Sequence, residues 1–296
     1  MIRKIKGHMG VIPEYSSAAD RLKYLNDFNS SNTMFETFNN YVASVNFDTS
    51  KINLRESLIE NLFNLKIITK KKFKYINYDL TRLHEIIDDS EMEQDITEIN
   101  NVSKKFYEHD NDFLQNYNNL IKKFVKPLFN EKIYFQKKPT VRFIFPNKFI
   151  KNEKFRFHTD IMLGHPPKEI NIWLSFTKTS LSNSLRILNF NDSIKSYDFC
   201  MKDFKNLAEK VQYDNDFYKN LKKNSRPLSL DYGEIFLFDS KCLHCTQHNK
   251  TKKTRISIDT RVITENDLKS LKRKYVGTGR RRTKFLPNYY YNKYPI

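Results

Sequence analysis

The chain has 296 residues and a mass of 35.5 kDa, enough for one large domain or two small ones. It carries 52 Lys and Arg against 34 Asp and Glu, a net charge of +18, while 24 Phe and 17 Tyr supply ample core material and exclude wholesale disorder. The 6 glycines exclude collagen-like and glycine-linker architectures, and the 3 cysteines (Cys200, Cys242 and Cys245) exclude a disulfide scaffold.

The first residues, Met1 to His8, form a basic tip with no apolar segment behind it, so no secretory leader is expected. No apolar run approaches the roughly 18 residues needed to cross a bilayer, so no membrane partner and a cytoplasmic setting are expected. The lean towards Lys, Asn, Ile, Phe and Tyr is what AT-rich coding produces. Part of the positive charge therefore carries no information about binding.

Apolar residues at three- and four-residue spacing predict helices over 18–28, 34–42 and 54–65, and a long one over 97–129 that stops near Pro127. The acidic stretch 88–95 reads as an exposed loop or helix start. Near Ile133 the pattern changes to strands. These are expected over 140–145, 155–158, 169–177 and 185–190. In 169–177, Ile170, Ile172, Leu174 and Phe176 alternate with Asn171, Trp173 and Ser175, as in a half-buried strand. A helical insertion (about 198–224) follows, and then strands over 227–230, 234–239, 243–247 and 254–263. About eight short strands behind a helical block predict an α+β chain with a jelly-roll core. The organisation expected is a helical region over 1–130 packed on the core, a β core over 131–263, and a basic, aromatic cap over 264–296.

Two segments can carry chemistry. In Phe157-His158-Thr159-Asp160, period-2 geometry sends His158 and Asp160 to the same side. Later, a Gly-initiated apolar strand, 233–239, leads through a turn to His244. Two histidines and one carboxylate leave three coordination positions open and suit non-haem Fe(II). His248 is the rival for the third ligand, but only seven residues separate it from Arg255. A zinc site from Cys242, His244 and Cys245 is too cramped for usual structural spacing. Arg255, Ser257, Asp259 and Arg261 share one face of the last strand. An inward Arg255 offers a planar fork to a carboxylate, and Ser257 adds a hydroxyl. Asn171 and Trp173 face opposite the apolar side of their strand. Arg142, His165 and Asn183 are further candidates for contacting a substrate.

This set, His158-Thr159-Asp160, then His244, then Arg255, resembles the Fe(II)/2-oxoglutarate-dependent oxygenases, with spacing similar to the phytanoyl-CoA dioxygenase branch. Gly164-His165-Pro166, Asn171 to Leu174, Asn183-Ser184-Leu185 and Gly277 to Arg280 look closest to bacterial StrG-type oxygenases of carbohydrate gene clusters. The resemblance covers roughly half the chain. It implies a double-stranded β-helix with Fe(II) held by His158, Asp160 and His244, and 2-oxoglutarate gripped by Arg255 with help from Ser257 and Asn171. O2 would oxidise a C–H bond of a small polar substrate. The carbohydrate likeness points to a sugar, aminocyclitol or nucleotide-sugar, so a phosphorylated or nucleotide-linked molecule is among the expected substrates. Arg142, His165, Trp173 and Asn183 would meet that substrate.

Two other readings fit parts of the sequence. Arg255 and Arg261 sit at the six-residue spacing of AlkB-like nucleic-acid demethylases, although the interval from His244 to Arg255 is short for that family. The eight basic residues of 268–284 would suit an anion, but no nucleic-acid motif accompanies them, and nucleic acid is not the expected partner. A cupin-like metal-binding protein without activity is the non-enzymatic reading. The complete ligand set argues against it.

Overall fold

The computed structural model describes residues 42–93, 99–107, 111–148, 157–271 and 283–296. The helix expected at 18–28, nearly all of that at 34–42, the start of the 155–158 strand and most of the basic stretch at 272–282 lie outside the described residues.

Nine strands are named among the described residues: β1 (Val42–Asn46), β2 (Ile133–Phe135), β3 (Thr140–Ile144), β4 (Ile170–Ser175), β5 (Leu185–Ile187), β6 (Arg226–Pro227), β7 (Glu234–Asp239), β8 (His244–Thr246) and β9 (Arg255–Thr264). Six of them make one antiparallel sheet in the order β1-β7-β4-β9-β2, with β3 also pairing β9. The other three make a small sheet, β6-β5-β8. A single bridge, His158 to His244, extends the small sheet by one more segment. The core is a double-stranded β-helix, the jelly roll expected from the strand count.

The central strand β4 is buried at all six positions, not half-buried as its alternation suggests. Both of its faces are covered. Ile170, Ile172 and Leu174 join Ile256, Ile258, Val262, Ile235 and Leu237 in a core shared with the helices. Trp173, Phe236 and Phe238 join Leu185, Ile187 and Cys242 of the small-sheet side in a separate cluster. The alternation therefore separates an apolar face from a mixed one rather than core from solvent.

The helical regions differ from expectation at several points. The first predicted helix within the described residues forms as α1 (Leu54–Asn64), and it is preceded by β1, which pairs with β7. The N-terminal region thus contributes a strand to the core sheet as well as helices. The long helix expected over 97–129 is divided into Asn101–Phe106 and Asn111–Leu120, then a π turn (Ile121–Val125) and a 3-10 turn (Lys126–Leu128) that holds Pro127. Proline lacks the N–H that a continuing helix requires. The insertion is three helices rather than one: Phe190–Phe199, Phe204–Tyr213 and Asn215–Asn224. It starts eight residues early because Asn189 caps the first helix, accepting from the Asp192 N–H at 2.8 Å.

The N-terminal helices cover the edge of β3. Asn100 caps the helix at Asn101–Phe106 by accepting from Ser103 N at 2.9 Å, and its Nδ2 donates to Phe143 O at 2.6 Å. Phe143 N donates to Ser103 Oγ at 3.1 Å. Exposed strand edges invite pairing with other chains, and covering them prevents it. Asn100→Ala removes a cap and leaves a buried carbonyl unpaired, so stability should fall by about 1–3 kcal/mol. Reversible urea denaturation checks this. A change below a few tenths of a kcal/mol would mean that the edge is held by packing alone.

Candidate metal centre

His158 and His244 are aligned by backbone. His158 N donates to His244 O at 3.0 Å, and His244 N donates to His158 O at 2.9 Å. This reciprocal pair places the imidazole centroids 4.5 Å apart. Asp160 does not continue a strand. After the extended Thr159, the chain enters a 3-10 turn, Asp160–Leu163, closed by Gly164 at φ 88°, a left-handed conformation that favours glycine. Asp160 still reaches the side of His158. The donor atoms of His158, Asp160 and His244 all lie within 4.8 Å of one another, and all three residues are buried. His248, the sequence-level rival, is in neither of the clustered ligand groups found among the described residues.

The turn that delivers His244 is anchored by a fully buried ion pair. Lys241 Nζ lies 3.0 Å from Asp239 Oδ1 and donates to Pro167 O at 2.8 Å. The His244 Nδ1–H donates to Cys242 O at 2.9 Å. That bond fixes the ring and leaves Nε2 as the free donor, the usual arrangement around a metal-binding histidine.

Asp160 is fully buried, and its two oxygens differ. Oδ2 accepts from Arg261 Nε at 2.8 Å. Oδ1 has no hydrogen-bond partner among the described residues and faces His244 Nε2 at 3.5 Å. An imidazole lone pair opposite a buried carboxylate oxygen is unfavourable unless a cation lies between them. Two imidazoles and one carboxylate oxygen in this arrangement fit a divalent iron. Burial alone would raise the Asp160 pKa, but neighbouring positive charge, that of Arg261 first, outweighs it and holds the carboxyl well below the usual carboxylate range.

A cavity of about 230 Å³ opens beside this cluster. Arg142, His158, His165, Trp173, His244, Arg255 and Asp259 are among the residues that line it. Arg255 is almost wholly buried. Its Nη1 donates to Asn183 O at 3.3 Å, and its guanidinium lies 5.8 Å from the Trp173 ring centre. Asn171 and Ser257 are fully buried. The Asn171 side-chain amide and the Ser257 hydroxyl have no hydrogen-bond partner among the described residues. Buried polar groups are ordinarily satisfied, so these two stand out.

Asn183 is not among the residues that line the cavity. Its Oδ1 accepts from Ser180 N at 2.7 Å and its Nδ2 donates to Lys178 O at 3.4 Å. The side chain is used within its own turn, and only the backbone carbonyl reaches Arg255.

Several residues at the site had no assigned role in the sequence reading. Glu169 is fully buried. It accepts from His165 Nδ1 at 2.6 Å and from the Tyr291 hydroxyl. His165 packs against Phe285 with ring centres 4.1 Å apart, and Tyr290 lines the cavity. The tail thus supplies part of the wall. Arg261 was visible only as a companion of Arg255 on one strand face. Ser103, Lys104 and Tyr107 bring the N-terminal helices to the cavity; helical periodicity shows that they lie on a helix, not that the helix borders a site.

No helix among the described residues is long and apolar enough to cross a membrane.

Similar solved structures include a nickel complex of the non-haem monooxygenase ThoJ, with 11% identity, 78% of this chain and 77% of that chain covered, and a TM-score of 0.38. SnoK, a non-haem α-ketoglutarate-dependent carbocyclase from nogalamycin biosynthesis, has 8% identity, 85% and 88% coverage, and a TM-score of 0.42. EctD from S. alaskensis, with 2-oxoglutarate and 5-hydroxyectoine, has 11% identity, 85% and 77% coverage, and a TM-score of 0.40. No curated protein matches the chain. The phytanoyl-CoA dioxygenase (PhyH) family matches residues 81–257, more than half of the chain and the whole stretch that carries His158, Asp160, His244 and Arg255. By that match the chain belongs to the phytanoyl-CoA dioxygenase family and is an Fe(II)- and 2-oxoglutarate-dependent oxygenase.

Proposed function

We propose that His158, Asp160 and His244 are the iron ligands, that Arg255 binds the distal carboxylate of 2-oxoglutarate, and that Ser257 and Asn171 assist it. The observation that carries this reading is the Asp160 Oδ1 that has no hydrogen-bond partner among the described residues and faces His244 Nε2, beside a buried arginine on the same cavity. Iron bound there with 2-oxoglutarate and O2 supplies oxidation of an unactivated C–H bond, with succinate and CO2 as the co-substrate's products.

The roles of the chain's own groups follow from their chemistry. Arg255 offers a rigid fork that recognises a carboxylate in its plane. The Trp173 ring centre lies 5.8 Å from the guanidinium, within cation–π range. Ser257 and Asn171 present hydroxyl and amide groups with unmet hydrogen-bonding capacity. His165, held by Glu169, and Arg142 line the cavity where the substrate would lie.

We read the substrate as a small polar metabolite: a sugar, an aminocyclitol or a nucleotide-sugar in glycan or secondary-metabolite synthesis. The StrG-type motif resemblance supports this, as do the hydrogen-bonding groups of Gln136, Thr140, His165 and Asp259 on the cavity wall. Arg142 and Lys104, on the same wall, suit a phosphorylated or otherwise anionic substituent. The volume lies under the roughly 300–1,000 Å³ typical of drug-sized ligands, which favours a compact reacting group. We further read 131–263 as the oxygenase core, completed by β1 and the end of β9, the rest of 1–130 as a region packed on it, and the rest of 264–296 as its cap.

Anaerobic titration of the apoprotein with Fe(II) and 2-oxoglutarate tests the co-substrate site. A weak visible charge-transfer band is expected in the wild type and should be lost or weakened in His158→Ala and in Arg255→Ala. Normal iron binding with no band would leave a cupin-like metal protein as the better reading.

The co-substrate contacts should also rank by charge. Calorimetry with the Mn(II)-loaded protein should show Arg255→Ala weakening 2-oxoglutarate binding by about 2–5 kcal/mol, and Ser257→Ala by about 0.5–1.5 kcal/mol. Equal effects would remove the special role given to Arg255.

A further inference from the structure

Arg261 is on β9, six residues beyond Arg255 and on the same face. In the β4–β9 register it is paired with Asn171, so its backbone is fixed by the most buried part of the sheet. Its side chain is about nine-tenths buried. Nε donates to Asp160 Oδ2 at 2.8 Å, and Nη2 donates to Asp259 Oδ2 at 3.2 Å. Asp259 in turn lies 3.8 Å from Arg142 Nε on the neighbouring strand. The guanidinium is therefore held from two sides, and its plane is not free to follow Asp160. The carboxylate follows the guanidinium.

This matters for how a carboxylate meets a metal. Without a fixed partner, a carboxylate rotates about its last bond and can ligate through one oxygen or through both. One-oxygen ligation by Asp160 with the two histidines leaves three positions open, as a facial triad requires. Two-oxygen ligation would use one of them, and the co-substrate and O2 together need all three. A hydrogen bond that occupies Oδ2 removes that option and leaves Oδ1 turned towards His244 Nε2.

Resting on the ligand assignment above, we propose that Arg261 is a positioning residue. By holding Oδ2, it restricts Asp160 to one-oxygen ligation through Oδ1 and keeps the third coordination position open. Charge neutralisation alone is a different role. A lysine would neutralise Asp160 as well as arginine does, but its ammonium is a point charge without a planar fork. It would not fix the carboxylate plane.

The test compares the full-length wild type with Arg261→Lys and Arg261→Gln. Each is loaded with Mn(II), and water-proton relaxation counts the waters bound to the metal. Fewer metal-bound waters are expected in both variants than in the wild type, because the freed carboxylate takes up an open position. The Mn(II) affinity of Arg261→Gln should fall by about tenfold or more, the range for partners that orient metal ligands, and Arg261→Lys should recover much of it. Arg261→Lys with the wild-type water count overturns the proposal and leaves Arg261 as a counter-charge only. If Arg261→Gln does not fold, Arg261→Lys decides the matter by itself. The measurement needs no 2-oxoglutarate, so a wild type that binds Mn(II) but gives no Fe(II)–2-oxoglutarate band would sink the Arg255 assignment while the water count still judges Arg261.

Discussion

The rest of the site depends on the burial of one carboxylate. Asp160 has no exposed surface, and stripping a carboxylate of water costs several kcal/mol even after relaxation. The folded chain offsets that cost with Arg261 on Oδ2. The balance is local. Arg261 would itself lose protons more readily on burial, yet Asp160 and Asp259 hold its pKa well above the usual value. Neither member is tolerable without the other, so the segment that bears Asp160 and the strand that bears Arg261 must arrive together. The reciprocal backbone bonds between His158 and His244 serve the same end. They fix the two histidines with main-chain groups before any side chain chooses a rotamer.

Strand β9 is where these requirements converge. It pairs with β4 on one side and with β2 and β3 on the other, so its backbone is held along nearly its whole length. Its outer face buries Ile256, Ile258 and Val262 against the helices. Its inner face carries Arg255, Ser257, Asp259 and Arg261. Thr260 is tied to the helices by Tyr117, whose hydroxyl lies 2.6 Å from Thr260 Oγ1 and donates to Gln136 O at 2.8 Å. A strand fixed on both edges and one face is a rigid support for polar groups on the other, and rigidity is what placing a ligand-orienting group requires. The elements that protect sheet edges also build the cavity. The helix at Asn101–Phe106 covers β3 and brings Ser103 and Lys104 to the wall. The C-terminal residues cover β2, through Ile133 with Ile296 and Phe135 with Asn292, and bring Tyr290 there.

What was legible in the sequence is what short-range periodicity encodes. Alternation over 170–176, 234–239 and 255–261 gave three of the central strands and correctly sorted Trp173 and Arg255 from their apolar neighbours. The spacing of His158, Asp160 and His244 gave the cluster. Strands β1 and β2 were not legible, because each sits beside a segment that reads as helical and their pairing with β7 and β9 is long-range. The 3-10 turn at Asp160 was hidden for a related reason: Gly164 marks where the turn ends, whereas His-Thr-Asp reads as strand. Glu169 and Tyr291 meet from 122 residues apart, and no local pattern reports such a contact. Arg261 was half legible. Its face was correct, but an arginine facing inward does not announce which carboxylate it will find.

Two arginines on one strand face, six residues apart, therefore come to have different surroundings. Arg261 meets two carboxylates of the chain itself. Arg255 donates to the Asn183 carbonyl and lies 5.8 Å from the Trp173 ring centre. The overall charge of +18 predicts neither outcome, because within the cavity wall Arg142 and Arg261 are matched by Asp259 and Asp160. A basic composition spread over a surface is screened within about 10 Å at moderate salt. A buried guanidinium is screened far less, so the groups around each arginine, and not the sum over the chain, set what it can meet.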